Sequence, residues 1–182
     1  LNEERHFLSL KLGIKDENHL LKFLSFLGSN DSIRYDYGGS GQQICYVVLN
    51  SVYFCNKLLE YGIFQGKSMK EVPCYFSDKD LKIAYFLGLL DGDGCILDTG
   101  ISFVGSYETC SFMKDVMSEF VVYKDGYSYI NLHDKFHNDL YVFSLHRKEV
   151  IEIMYNLYYD KLYTLDRKRQ KVITNYKRLG GI

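Results

Sequence analysis

The sequence predicts an α+β protein made of two halves that repeat one order of helices and strands. Three observations lead there. Apolar spacing switches along the chain between strand alternation and helical periodicity. The same order of segments returns after roughly 95 to 100 residues, an offset too long for a solenoid and suited to a duplicated half-domain. One long apolar helix stands at the head of the second series. With 182 residues, 47% of them hydrophobic, the chain can fill one sizeable domain or two small ones.

In the first half, 7–12 alternates as a strand and 16–27 reads as an amphipathic helix. Strands at 33–37 and 44–49 follow, joined by Gly38-Gly39-Ser40-Gly41, and 52–61 is helical. The second half opens with the apolar helix and a short strand at 95–98. It then repeats the series: a strand at 101–104, a helix at 108–120, strands at 127–133 and 140–145, and a helix at 149–160. The halves are thus 1–76 and 77–182, with the apolar helix at 79–93.

That helix carries the chemistry. Ser77 or Asp78 caps it, Asp80 lies in the first turn where the macrodipole favours an anion, and no breaker interrupts the apolar run before its end. Ala84, Gly88 and Gly92 recur at i, i+4 and i+8, a nearly bare stripe against which a second helix backbone can lie closely. Asp91 and Asp93 then stand at the helix end, where the backbone carbonyls already favour a cation. Alone, Asp-Gly-Asp-Gly also reads as a glycine C-cap followed by a turn. It is not a calcium-binding EF-hand loop, because Ile96 replaces the required glycine and Ser102 the bidentate glutamate.

The nine residues Phe86-Leu87-Gly88-Leu89-Leu90-Asp91-Gly92-Asp93-Gly94 resemble the signature of LAGLIDADG homing endonucleases. They match it at Gly88, Leu89, Asp91, Asp93 and Gly94, and conservatively at Phe86, Leu90 and Gly92. The resemblance implies duplicated αββαββα half-domains whose curved antiparallel sheets form a DNA-binding saddle, with two motif helices side by side and a catalytic acid at the end of each. On this pattern Asp93 is the catalytic metal ligand, Asp91 completes the helix end, and Ala84, Gly88 and Gly92 form the helix–helix interface. The first half lacks its own motif helix, so an upstream segment or a second chain is expected to supply it. Gly62-Ile63-Phe64-Gln65-Gly66-Lys67-Ser68 falls opposite Tyr163-Thr164-Leu165-Asp166-Arg167-Lys168-Arg169, and both resemble the family's basic segments. Lys67 and Lys168 are therefore the expected basic residues near the scissile phosphates.

The implied activity is site-specific hydrolysis of double-stranded DNA with a divalent metal, Mg2+ or Mn2+, as hard carboxylate ligands without a His or Cys cluster suggest. The alternatives are a non-catalytic DNA-binding protein or an RNA-splicing maturase on the same fold, and a protein-interaction domain. Base reading would fall to alternating strand residues, since strands fit the major groove. Those residues are Arg5, Ser9, Lys11, Arg34, Gln42 and Gln43 in the first half, and Tyr127, Tyr129, Asn131, His133 and Lys135 in the second. An ordinary exposed strand face is the simpler reading of each.

A net charge of −1 gives no overall attraction to nucleic acid, so affinity must come from local basic segments such as 161–178. Gly66-Lys67-Ser68 follows Gly62 one residue too closely for a phosphate-binding P-loop, and a helix precedes it where a strand is required. The charged start and the lack of any span of roughly 20 apolar residues predict an intracellular protein of the cytoplasm or an organelle matrix, with no membrane partner. Five cysteines without a C-x-x-C pair predict reduced thiols that fill the core.

Overall fold

A computed structural model describes residues 1–65, 73–121, 129–134 and 139–181, with 129–134 and 139 described by their backbone alone. The chain divides into two units, Leu1–Lys67 and Ser68–Ile182.

In the first unit, strand β1 (Phe7–Gly13) and a single 3-10 turn (Ile14–Asp16) lead into helix α1 (Glu17–Leu27), then strands β2 (Arg34–Tyr37) and β3 (Gln43–Asn50) and helix α2 (Val52–Glu60). The sheet is antiparallel in the order β1-β3-β2. Alternation works as the sequence predicts. Leu8, Leu10 and Leu12 of β1 and Cys45, Val47 and Leu49 of β3 meet Leu20 and Leu24 of α1 in a small core. Helix α1 ends where Gly28 takes the left-handed conformation (φ 62°), and Ser51 caps α2 by accepting from the Phe54 N–H at 3.2 Å.

In the second unit, helix α3 (Lys79–Asp93) and strands β4 (Gly94–Leu97) and β5 (Gly100–Gly105) precede helix α4 (Tyr107–Ser118). Strands β6 (Tyr129–Asp134) and β7 (Asp139–His146) and helices α5 (Lys148–Tyr158) and α6 (Asp166–Arg178) complete it. Its antiparallel sheet has the order β4-β5-β7-β6. Three of these strands, β5-β7-β6, repeat the order β1-β3-β2 of the first unit with helices at the same points, so the duplication seen in the sequence is a duplication of topology. Phe86, Leu87 and Leu90 of α3, Ile101 and Phe103 of β5, Met113 and Met117 of α4, Phe143 and Leu145 of β7 and Met154 of α5 form one buried core. Each such side chain contributes about 1.5–3 kcal/mol by leaving water.

The close pairing of β5 with β7 depends on Gly100. A Cβ placed there would stand 1.8 Å from the Leu145 carbonyl oxygen across the sheet. Because backbone and not a flexible side chain blocks the space, Gly100→Ala should destabilise the protein by about 2–3 kcal/mol, the cost of overpacking. Urea unfolding measures this directly, and an unchanged midpoint would mean that the β5–β7 pairing relaxes freely.

The five cysteines are free, but they do not all fill the core. Cys45, Cys55 and Cys110 are buried and Cys74 is partly so, whereas Cys95, on the β4 edge strand, is exposed. Burial pushes the Cys110 thiol up to about 11, which leaves it unreactive. Among the described residues, no helix is long and apolar enough to cross a membrane.

Candidate metal centre and nucleic-acid interface

Helix α3 starts at Asp78, whose carboxylate accepts the Leu81 N–H at 2.9 Å, and runs without interruption to Asp93. Its rotation is set by Phe86, Leu87 and Leu90, all fully buried. Asp91 and Asp93 are two residues apart, which on an α-helix is about 200° of rotation, so burying one exposes the other. Asp91 goes inward and is 9% exposed. Its two carboxylate oxygens accept the Tyr158 hydroxyl at 2.8 Å and the Leu165 backbone N–H at 2.7 Å. Burial first, then the Asp91 carboxylate, pushes the Tyr158 phenol far above its ordinary value and keeps it a donor. Asp93 is exposed, and among the described residues its carboxylate makes no hydrogen bond or ion pair.

The lysine expected beside a phosphate lies inside the unit. Lys168 is 5% exposed, and its ammonium donates to the carbonyls of Leu90 at 2.5 Å, Asp91 at 2.8 Å and Gly94 at 2.6 Å. Burial pulls it below the usual lysine value, and the nearby Asp91 carboxylate opposes that pull. Gly94 permits the arrangement, since a Cβ there would lie 2.7 Å from the Leu90 oxygen. Further along α6, Asn175 donates to the Leu97 carbonyl at 2.8 Å and Arg178 pairs with Asp98 at 3.3 Å.

The fold as a whole is similar to that of solved structures. Over 92% of this chain and 83% of the other, at 14% identity and a TM-score of 0.57, it is similar to I-DmoI in complex with DNA and calcium. Comparable likenesses link it to mesophilic variants of the homing endonuclease I-DmoI (14% identity, TM-score 0.55, 86% and 82% covered) and to I-DmoI with DNA and manganese (16%, 0.54, 86% and 82%). The chain has the LAGLIDADG homing-endonuclease fold. No family model and no curated protein matches the sequence. At identities this low, the likeness establishes the fold.

Within this LAGLIDADG fold, strand register sorts the residues expected at DNA. Core residues Leu10 and Val47 are paired, as are Lys11 and Tyr46, and Tyr46 in turn pairs with Arg34. Side chains paired across a sheet share a face. Lys11, Arg34 and Tyr46 therefore lie together on the face away from the core, with the Lys11 ammonium 5.5 Å from the centre of the Tyr46 ring. Ser9 belongs to that face, but its hydroxyl is buried without a partner among the described residues. Gln43 projects to the other face, beside the Tyr37 hydroxyl at 3.4 Å, while Gln42 and Arg5 are exposed outside the strands. On β6, Tyr129 pairs with Ser144, Asn131 with Val142 and His133 with Leu140. Lys67, Tyr127 and Lys135 lie outside the described residues.

The basic segment 161–178 does not form the continuous strip its composition suggests. Lys168 turns inward, and Arg169 pairs with Asp166 at 2.8 Å. Of the exposed basic residues of α6, Arg167, Lys171 and Arg178 recur at i, i+4 and i+11 on one side of the helix, and Lys177 lies to the flank. Gly88 and Gly92 are exposed, and a methyl group added at either would meet open space. Ala84 is half-buried.

Sequence reasoning missed Tyr158, Leu165, Asn175 and the Asp36 carboxylate, which register places on the Lys11–Arg34 face. Tyr158 touches the motif at Asp91 across 67 residues of sequence and Asn175 touches Leu97 of β4 across 78, and no local pattern announces such contacts. Among the described residues, no group of three or more His, Cys, Asp or Glu gathers. The exposed Asp93 carboxylate suits a hard cation that takes one or two carboxylates and completes its shell with water and phosphate oxygens, as magnesium does.

Proposed function

We propose that the protein is a site-specific, double-stranded DNA endonuclease in which Asp93 holds Mg2+ or Mn2+. The observation that carries this reading is the division of labour at the end of α3. Asp91 is fully engaged in holding the helix end, while Asp93, the neighbouring acid of the same motif, is free of that work and faces solvent. The bound metal would lower the pKa of a water and neutralise charge on the phosphate. Asp93 orients the cation, and the Lys11–Arg34–Tyr46 face makes phosphate and base contacts. Arg167 and Lys171, exposed on α6, add positive charge. Lys168 is buried, so the exposed cations of α6 in this role are Arg167 and Lys171.

One observation favours the non-catalytic DNA-binding or RNA-splicing alternative: the lysine that the resemblance assigns to the phosphate has all three donors on backbone carbonyls. Binding and cutting separate the two readings. With a net charge of −1, affinity must rest on local cations. Duplex binding should therefore fall about a hundredfold between 50 and 200 mM salt, the slope for about four phosphate contacts, and Arg34→Ala should lower that slope by about one. Fluorescence anisotropy gives the slope. Magnesium-dependent cutting, screened across a library of duplexes, then decides catalysis. Salt-independent binding, or binding without cutting on any duplex, would remove the endonuclease reading.

A further inference from the structure

We propose that Lys168 is a positioning residue that caps the end of helix α3 from within and so fixes the turn presenting Asp93. The inference rests on the reading of Asp93 as a metal ligand. The last carbonyls of an α-helix have no partners within the helix, and the C-terminal end carries the negative pole of the macrodipole. In α3 the Leu90 carbonyl takes the Gly94 N–H, and Lys168 supplies a second donor to it. The same ammonium also reaches the carbonyls of Asp91 and Gly94. These three oxygens flank Asp93, two before it in the chain and one after.

An ammonium has three donors and no acceptor, and here each donor meets one carbonyl. Burying a cation is costly unless hydrogen bonds and an opposite charge compensate it, and both do so here: three carbonyls and the Asp91 carboxylate. An apolar side chain at 168 would leave the carbonyls without this donor. The cap is one of several ties between α6 and the motif exit. The Leu165 N–H binds Asp91 just before α6, Asn175 holds the Leu97 carbonyl, and Arg178 meets Asp98. The Asp93 carboxylate makes no hydrogen bond among the described residues. Its direction is therefore set by the backbone around it, and Lys168 is the group that holds that backbone on both sides. A lysine acting directly on a phosphate would need an exposed ammonium, whereas Lys168 is 5% exposed.

The test uses the isotopically labelled full chain and Mn2+ as the probe. In the wild type, the Lys168 ammonium should give a slowly exchanging 15Nζ signal, as three hydrogen bonds require. A signal lost to solvent exchange, as on surface lysines, overturns the cap. Mn2+ should broaden the amides of 92–95 in the wild type, and Asp93→Asn should remove that broadening. Lys168→Met should stay folded but bind Mn2+ about 10- to 100-fold more weakly, the usual cost of losing a group that orients a ligand. Lys168→Arg should not restore affinity, because a planar guanidinium cannot converge on three carbonyls. Should the methionine variant fail to fold, Lys168→Gln takes its place. Native Mn2+ affinity in a folded Met or Gln variant, or full rescue by Arg, overturns the positioning role. Mn2+ broadening that survives Asp93→Asn, or is absent from the wild type, defeats the metal reading instead, and the ammonium signal still judges the cap.

Discussion

Asp93→Asn should reduce metal-dependent DNA cutting by about a thousandfold or more, equivalent to about 4 kcal/mol of transition-state stabilisation. The amide keeps the shape of the carboxylate but removes the charge that holds the cation. The fold should not notice. Asp93 is exposed and its carboxylate makes no hydrogen bond among the described residues, so stability should move by no more than about 0.5 kcal/mol. Duplex binding should persist, because the contacts assigned to binding lie on the Lys11–Arg34–Tyr46 face. Cleavage kinetics on a recognised duplex, run beside thermal unfolding and anisotropy, separate these effects. Undiminished magnesium-dependent cutting of both strands would place the catalytic centre elsewhere.

The opposite pattern is expected two residues earlier. Asp91→Ala should cost about 3–5 kcal/mol, the range for removing one partner of a buried charged network. Three groups lose their compensation together: the Tyr158 hydroxyl and the Leu165 N–H lose their acceptor, and the buried Lys168 ammonium loses its nearby negative charge. Tyr158→Phe removes only one neutral donor from Asp91 and should cost about 1–2 kcal/mol. Urea unfolding of Asp91→Ala, Asp93→Ala and Tyr158→Phe tests the order. Equal losses at Asp91 and Asp93 would contradict the inward and outward placement of the two acids.

Much of the fold was legible because its elements follow local rules. Helix α3 spans Lys79–Asp93, the range read from its cap and its apolar run. The alternation read over 7–12 agrees with Leu8, Leu10 and Leu12 packing on the core, and the order of elements announced the duplication. The cysteines show where such reading stops. Composition gives every Cys the same apolar preference, but Cys95 sits on edge strand β4 and is exposed.

The sequence by itself determined the motif, its helix, the paired acids at its end and the repeated order of strands, since each depends on neighbours within a few residues. Only the tertiary structure decided what those residues do. Lys168 and Arg167 are adjacent in a segment that looks uniformly basic, yet α6 packs Lys168 inward with Val172 and Asn175 and leaves Arg167 exposed. Asp91 and Asp93 are the same residue type two positions apart, and the packing of Phe86, Leu87 and Leu90 fixes which one turns inward. The physical reason is common to both pairs. Helical rotation of about 100° per residue makes close neighbours in sequence face different surroundings, and only long-range packing fixes which surroundings each receives.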